Sequence, residues 1–541
     1  MSLLRRVDLL RVMPETDYDV VVIGAGMTGA GVALDAASRG LKVALIDKGD
    51  IASGTSSKSS KMVHGGLRYL QQREFRLVYE NLRERQRLLE NVPFLVRPLP
   101  FLIPLFAKNG AMAKALVKGY SSALRIYDLT GGWRIGQRYR KVTPDEALAH
   151  LPTLNTEHLI AAFIYLDARG DDARVALTLA RTAVDLGAHV ANYLQAVAID
   201  QDETGRAKAV RVRDRLAGTE LTLHTRAVVN ATGVWADEVF AMAEHQASHR
   251  ITPAKGVHLS VPSDRLPADV AAVMSVPGDR RSIFVVPFED APYTFVGTTD
   301  TAYADALDRP ECTPEDLAYL LGAVNASTSS NLTPDDVTGV WAGLRPLLAP
   351  HDGAALKERT ADLSRRHQVT DSHDGVIHIT GGKWTTYRQM AEDAVNALRP
   401  YLPGLPGAKT KNLRLHGVGA WLPTTDLERH LYRRYGDDAR DILDIVRDFP
   451  HLGEPMIERQ PYVGAEFIYA VRSEMALTLE DLLTRRTRAH LHDARTAAAA
   501  APMIARLVAP ELGWEPSQID EQVRNYLDAA RREFSAAGLT L

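Results

Sequence analysis

Residues 18–48, YDVVVIGAGMTGAGVALDAASRGLKVALIDK, restrict the fold more than any other stretch of the chain. Positions 20–23 form an apolar, β-branched run suited to a buried parallel strand. Gly24-Ala25-Gly26-Met27-Thr28-Gly29 then satisfies G-x-G-x-x-G, a helix is predicted over 30–39 with Gly40 closing it, and 41–46 reads as a second buried strand. That strand ends in Asp47, 18 residues beyond Gly29. Gly24 permits the tight turn, Gly26 lets backbone approach a pyrophosphate, and Gly29 lets helix pack on strand. The helix N-terminus offers unpaired N–H groups and a positive dipole end to phosphates. Asp47 is expected to accept hydrogen bonds from ribose hydroxyls, and its charge disfavours a 2′-phosphate. The unit therefore predicts an α/β dinucleotide-binding domain without choosing between FAD and NAD.

At 541 residues the chain exceeds a single core, and its length suggests three or four domain-sized units. A net charge of −3 excludes a polycation built for nucleic acid. The single cysteine, Cys312, rules out an intrachain disulfide or a cysteine metal cluster, and no metal site is expected. No run of 18 apolar residues predicts a membrane-spanning helix. The first 17 residues lack an apolar signal core, so a cytoplasmic location is expected.

Further segments carry chemistry-bearing residues in close succession. After Asp47, Thr55-Ser56-Ser57-Lys58-Ser59-Ser60-Lys61-Met62-Val63-His64-Gly65-Gly66-Leu67-Arg68-Tyr69-Leu70 joins a Ser/Thr-rich loop to a basic and aromatic stretch, and a charged amphipathic helix is predicted over 75–90. Asp171 and Asp172 precede a predicted helix over 175–186, where capping and dipole both suit them. Residues 228–237 run from an apolar strand into the small-residue turn Ala231-Thr232-Gly233 before Trp235. Lys255-Gly256-Val257-His258, Gly297-Thr298-Thr299-Asp300, Gly343-Leu344-Arg345-Pro346 and Gly381-Gly382-Lys383-Trp384-Thr385-Thr386-Tyr387-Arg388 follow.

These segments together resemble FAD-dependent glycerol-3-phosphate dehydrogenases, of the D-amino-acid-oxidase-like flavoproteins, closely over about residues 18–400 and more loosely beyond. The resemblance favours FAD over NAD, held without a covalent bond. It implies oxidation of sn-glycerol 3-phosphate at C2 to dihydroxyacetone phosphate by hydride transfer to flavin N5, with electrons passed to membrane quinone. Expected cofactor contacts are Gly24, Gly26, Gly29, Asp47, Thr55, Ser56, Ser57, His64, Gly65, Gly66, Ala231, Thr232, Gly233, Gly381, Gly382 and Lys383.

Alcohol oxidation needs a base for the hydroxyl proton, and a phosphate dianion needs fixed cations. His258 is the candidate base, because imidazole accepts a proton near neutral pH. Arg345 precedes Pro346, which biases it to extended backbone, from which a guanidinium fork can meet oxyanions. Lys383 stands where a helix predicted over 384–398, with Arg388, Glu392 and Asp393 on its polar face, would point its positive end at the flavin. Arg68, Tyr69 and Arg359 complete the expected phosphate clamp, Arg359 on a poorer local match.

Residues 101–126, FLIPLFAKNGAMAKALVKGYSSALRI, read as an apolar loop at 101–106 followed by a helix. Counting about 100° per residue from Met112, Leu116, Tyr120 and Ala123 share one face while Lys114, Lys118 and Arg125 share the opposite one. That pattern suits an interfacial helix on anionic lipid and, with the resemblance, predicts peripheral attachment to the inner face of the plasma membrane.

The expected fold is α/β with three parts. A discontinuous Rossmann-like FAD domain takes 18–98, 165–255 and 345–400. An inserted α+β substrate domain, of mixed or antiparallel sheet, takes 99–164 and 256–344. After the breaker-rich 403–407 comes an all-helical domain, 408–541, where 478–488 reads as a solvated charged helix face with a capping threonine. A homodimer is one expected assembly. Three other readings stay open at this level: a glycerol-3-phosphate oxidase passing electrons to O₂, a flavin oxidase of amines or amino acids, and a redox-inert FAD-binding subunit.

Overall fold

The computed structural model describes residues 6–67, 74–107, 110–244, 251–276, 278–279, 281–348 and 366–541. Among them, Val20–Ile23 lies at the centre of a six-stranded sheet ordered His367–Asp371, Val376–Gly381, Val228–Asn230, Val20–Ile23, Val43–Ile46, His189–Ala191. Every pairing is parallel except that of the edge strand His367–Asp371. Central strands of such a sheet are buried on both faces, which explains their unbroken Val/Ile/Leu runs. One face packs on helices Met27–Ser38, Asp172–Asp185 and Tyr387–Ala397. The other is covered by helix Ala236–Glu244 and an antiparallel sheet of Leu194–Gln201, Ala207–Asp214 and Glu220–His224.

A ten-stranded, mostly antiparallel sheet stands beside this layer. Strand Ile251–Pro262 pairs with Gly339–Leu348 on one side and Tyr293–Gly297 on the other. The same sheet includes Val96–Phe106, paired along its length with Leu159–Gly170. From Asp426 onward the described elements are helices around a core of their own. The alanine run 497–501 lies inside helix Ala494–Leu512, which continues through Pro502 and Pro510.

Several expectations are corrected. Residues 101–106 belong to the strand Val96–Phe106 and are not a loop. Helix Gly110–Leu129 sets Leu116, Val117 and Tyr120 against its own sheet, beside buried Leu124 and Tyr127. Leu116 and Tyr120, on the face expected to meet lipid, are thus partly covered by protein. Lys114, Lys118 and Arg125 remain exposed, next to exposed Ile126 and Leu129. The polar face of helix Tyr387–Ala397 is partly interior: Arg388 is buried against Glu84 and Glu392. Arg485, Arg486 and Arg488 are buried as well, against the expectation for 478–488. Thr478 Oγ1 does accept the Asp481 N–H at 3.1 Å, but Asp481–Arg486 is a π-helix whose N-cap position is Glu480, without a side-chain cap.

Candidate active site

The turn after Val20–Ile23 demands glycine for steric reasons. Gly24 has φ +102°, and a Cβ there would lie 2.8 Å from the Ala231 carbonyl oxygen. A Cβ on Gly29 would lie 1.7 Å from the Gly24 carbonyl oxygen, so the first turn of helix Met27–Ser38 can close only around a bare Cα. Asp47, at the end of the second strand, accepts N–H bonds from Ala25 (2.6 Å) and Gly49 (2.8 Å). The 3-10 turn Thr55–Ser57 folds over this unit. Ser56 Oγ accepts the Met27 N–H at 2.8 Å, and Thr55 Oγ1 donates to the Leu344 carbonyl at 2.6 Å.

Beneath the turn runs a cavity of about 1190 Å³, reaching from Asp47 and Gly24 to His258, Arg345 and Lys383. Of the expected cofactor contacts, Gly24, Gly26, Asp47, Thr55, Ser56, Ser57, His64, Gly66, Ala231, Thr232, Gly233, Gly381, Gly382 and Lys383 line it. Gly29 is off the wall, in the packing role described above. Gly65 is off it too: its N–H meets Tyr127 Oη at 3.0 Å, and a Cβ there would strike Tyr127 and Leu82. Arg68, Tyr69 and Arg359 lie outside the described residues. Lys383 precedes the 3-10 turn Trp384–Thr386, and the α-helix begins only at Tyr387, three residues later than predicted.

At the far end of the cavity, glycines within strands create the space that side chains fill. A Cβ on Gly256 would lie 2.5 Å from Arg345 Nη2, and one on Gly297 would lie 2.0 Å from His258 Cδ2. Glycine inside a strand marks such close approaches. Arg345, on Gly339–Leu348, directs its fork at the 298–300 turn. Nη1 donates to the Lys255 carbonyl (3.2 Å) and Asp300 Oδ1 (3.3 Å), and Nη2 to Thr298 Oγ1 (3.2 Å) and the Thr299 carbonyl (3.1 Å).

His258, buried on Ile251–Pro262, shares a hydrogen bond between Nε2 and Ser60 Oγ at 2.8 Å. Its ring stacks on Trp341, with centroids 5.0 Å apart and planes 6° from parallel. Nδ1 has no hydrogen-bond partner among the described residues. Burial pushes the imidazole well below its usual range, and the charges of Lys61 and Arg345 push the same way. His258 is therefore neutral at pH 7, with a lone pair able to take a proton.

Sequence reasoning brought together His258, Arg345, Lys383 and the glycine turns. It missed Ser60, Trp341 and the Thr298–Asp300 grip on Arg345. Ser60 was read as loop material, although it is the residue that fixes the imidazole. The signal that could have found these groups is the isolated glycine in each of the strand segments K-G-V-H, V-G-T-T-D and A-G-L-R.

Residues 19–388 match the family described as FAD dependent oxidoreductase, and residues 379–519 match the C-terminal domain of alpha-glycerophosphate oxidase. A protein of Mycobacterium tuberculosis named glycerol-3-phosphate dehydrogenase 2 is 40% identical over 532 residues, covering 95% of this chain and 88% of its own. The human mitochondrial glycerol-3-phosphate dehydrogenase is 34% identical over 559 residues, covering 98% and 74%. Among solved structures, the glycerol-3-phosphate dehydrogenase of Bacillus halodurans complexed with FAD aligns with a TM-score of 0.78 at 29% identity, covering 98% of both chains.

Proposed function

Because the chain belongs to the FAD-dependent oxidoreductase family, we propose that it is a glycerol-3-phosphate dehydrogenase that passes electrons to a membrane quinone. The observation that carries this reading is the convergence of a fixed guanidinium, a buried imidazole held by Ser60, and Lys383 at the end of the cavity opposite the dinucleotide turn. The relatives' names supply the substrate, and the cations suit its phosphate.

The residues fit FAD. Gly24 and Gly29 leave no room for a Cβ, the cavity extends from Asp47 to Lys383, and its wall at Ala231–Gly233 is made of small residues. Gly24, Gly26, Asp47 and the 55–57 turn would hold the adenosine and pyrophosphate half, with Gly381, Gly382 and Lys383 at the flavin half. When bound, FAD supplies a two-electron hydride acceptor. Arg345 holds the substrate's phosphate or its developing C2 carbonyl oxygen, already oriented by the 298–300 turn. His258 takes the C2 hydroxyl proton, and Ser60 fixes which ring nitrogen faces it. The incoming dianion offsets the repulsion that Lys61 and Arg345 exert on a protonated imidazole, raising its basicity as substrate arrives. Arg68, Tyr69 and Arg359 belong to the same clamp in this reading.

Apolar wall residues (Met62, Phe101, Ile103, Tyr120, Tyr165 and Phe284) suit a quinone ring better than a polyol phosphate. No helix among the described residues is long and apolar enough to cross a membrane. The basic outer face of helix Gly110–Leu129, with Ile126 and Leu129, is the proposed lipid contact in place of the partly covered one. The division into 18–98, 165–255 and 345–400, then 99–164 and 256–344, then 408–541 belongs to this reading, as does a homodimer.

Anaerobic mixing of the flavin-loaded protein with sn-glycerol 3-phosphate tests it. Rapid bleaching of the yellow absorbance, absent with glycerol or the opposite enantiomer, is expected, and flavin that stays yellow in excess substrate refutes the assignment. Acid precipitation should release the flavin to the supernatant, as non-covalent binding requires. The match of 379–519 to a domain named for an oxidase supports a second reading with O₂ as acceptor. One peroxide per turnover would establish it over the quinone.

A further inference from the structure

Three arginines of the C-terminal helical region enter the rest of the molecule within four residues of one another. Arg485 and Arg486 both bond Asp50: Arg485 Nε at 2.6 Å, and Arg486 Nη1 and Nη2 at 2.7 and 2.8 Å. Arg488 reaches further. Its Nε donates to Asp171 Oδ1 at 3.0 Å, and Nη1 to the carbonyls of Ser57 (3.3 Å) and Thr484 (3.0 Å). Nη2 donates to Asp172 Oδ1.

Asp172 in turn grips the loop over the cavity. Its Oδ2 accepts the Ser59 N–H at 2.9 Å and its Oδ1 lies 3.6 Å from Lys61 Nζ. Lys61 donates back to the carbonyls of Ser57 and Ser59, each at 3.3 Å, and holds a left-handed backbone at φ +55°. A non-glycine residue stays in that region only when its surroundings over-determine it. Between these anchored residues sits Ser60, whose Oγ holds His258 Nε2.

We propose that Arg488 is a positioning residue: through Asp172 and Lys61 it sets the 57–61 loop, and with it the Ser60 hydroxyl that orients His258. Arg488 is not on the cavity wall, so it acts on catalysis through the loop and not by touching substrate. The loop has only one 3-10 turn of its own, so without these anchors it would recover the backbone entropy that a single conformation costs. A rigid fork with five donors can hold a loop carbonyl, a helix-region carbonyl and two carboxylates at once, which an ammonium cannot. The same loop carries Ser56 on the Met27 N–H and Thr55 on the Leu344 carbonyl, one residue before Arg345. One anchored loop thus registers the dinucleotide turn, the arginine strand and the imidazole against each other.

The inference rests on the flavin and polyol-phosphate reading, and Arg488→Lys and Ser60→Ala test it in the flavin-loaded enzyme. Arg488→Lys keeps the charge and loses the fork. It should slow flavin bleaching by on the order of 10²-fold, shift the acid limb of the kcat/KM–pH profile, and weaken FAD binding measured by flavin fluorescence on reconstitution. Ser60→Ala should reproduce the shifted pH profile while FAD affinity stays at the wild-type value. If Arg488→Lys does not fold by circular dichroism, Asp172→Asn is read by the same criteria. A folded Arg488→Lys protein with wild-type pH profile and FAD affinity makes Arg488 a docking contact only and overturns the proposal. Failure of the wild-type flavin to bleach would sink the substrate reading instead, while the FAD-affinity comparison would still decide the role of Arg488.

Discussion

Replacing Arg345 by lysine retains one positive charge and removes the planar fork, so it isolates what geometry contributes at this position. Among the described residues the guanidinium already meets two carbonyls, one hydroxyl and one carboxylate at 3.1–3.3 Å. An ammonium has three N–H groups radiating from one atom, and it cannot hold the 298–300 turn and also face an incoming oxyanion. A hydrogen bond to a charged group is worth about 1.5–3 kcal/mol, toward the upper end where water is excluded. Losing one such bond in the transition state, at about 1.4 kcal/mol per factor of ten, lowers kcat/KM by about 100-fold. Steady-state turnover of sn-glycerol 3-phosphate with a dye acceptor measures this directly, and single-turnover bleaching separates binding from chemistry. Were the fork used mainly to hold ground-state phosphate, KM would rise and the bleaching rate at saturation would persist. A loss below about threefold, under ~0.7 kcal/mol, would remove Arg345 from the reacting centre.

Gly297→Ala should break the site from the other side, because its Cβ would sit 2.0 Å from His258 Cδ2 and displace the imidazole from Ser60. A drop of about 10²-fold in bleaching rate is expected, with flavin content retained, and activity within twofold of wild type would mean His258 need not stand where it does. Acid should destabilise the fold through buried histidines. Burial pushes His492 down to about 4 despite Asp290, and His258 is also well below its usual range. Their unfolded forms, with pKa about 6.5, bind the extra protons. The contribution of these two histidines is therefore full above about pH 6.5 and falls toward pH 4 by up to about 1.4 kcal/mol per pH unit for each imidazole. His416 acts in the opposite direction: burial lowers it, but its hydrogen bonds to Asp185 and Asp438 outweigh burial and raise it, so its contribution is full below about pH 6.5 and is lost as pH rises through its folded value. Urea midpoints that stay flat between pH 6.5 and 5 would contradict the argument. Changing Lys114, Lys118 and Arg125 together to glutamine should weaken sedimentation with anionic vesicles more than 100-fold, at about 1 kcal/mol per basic residue near the surface. Unchanged binding would remove this face from the membrane assignment.

Part of this protein is written in local sequence. The apolar runs at 20–23 and 43–46, the glycine turn between them and the terminal Asp47 are a single βαβ unit, because strand burial, turn sterics and helix packing each act over a few residues. The extended backbone of Arg345 followed from Pro346, and the cap of helix Asp172–Asp185 followed from Asp171. Strand 96–106 was hidden because Pro98, Pro100 and Pro104 look like breakers. Sharing parity, they remove N–H groups along one edge only, and the strand pairs along its length with Leu159–Gly170.

Helical periodicity assigned 478–488 a polar face, but not what would lie against it. Only the fold brings Asp50 to Arg485 and Arg486, and Asp171 and Asp172 to Arg488, from more than 300 positions away along the chain. A charged residue reads as solvated until its counter-charge is known, since burial is tolerable only once the pair is complete. His258 and Arg345 were visible as residue types suited to the chemistry, while what orients them comes from elsewhere in the chain: Ser60 and Trp341 reach His258 from the 55–61 loop and the arginine strand, and the 298–300 turn holds Arg345. The sequence by itself determined which cofactor cradle is built and which groups are chemically able to act. Tertiary packing decided which of them meet and in what orientation, because those contacts join segments whose distance in space no local pattern encodes.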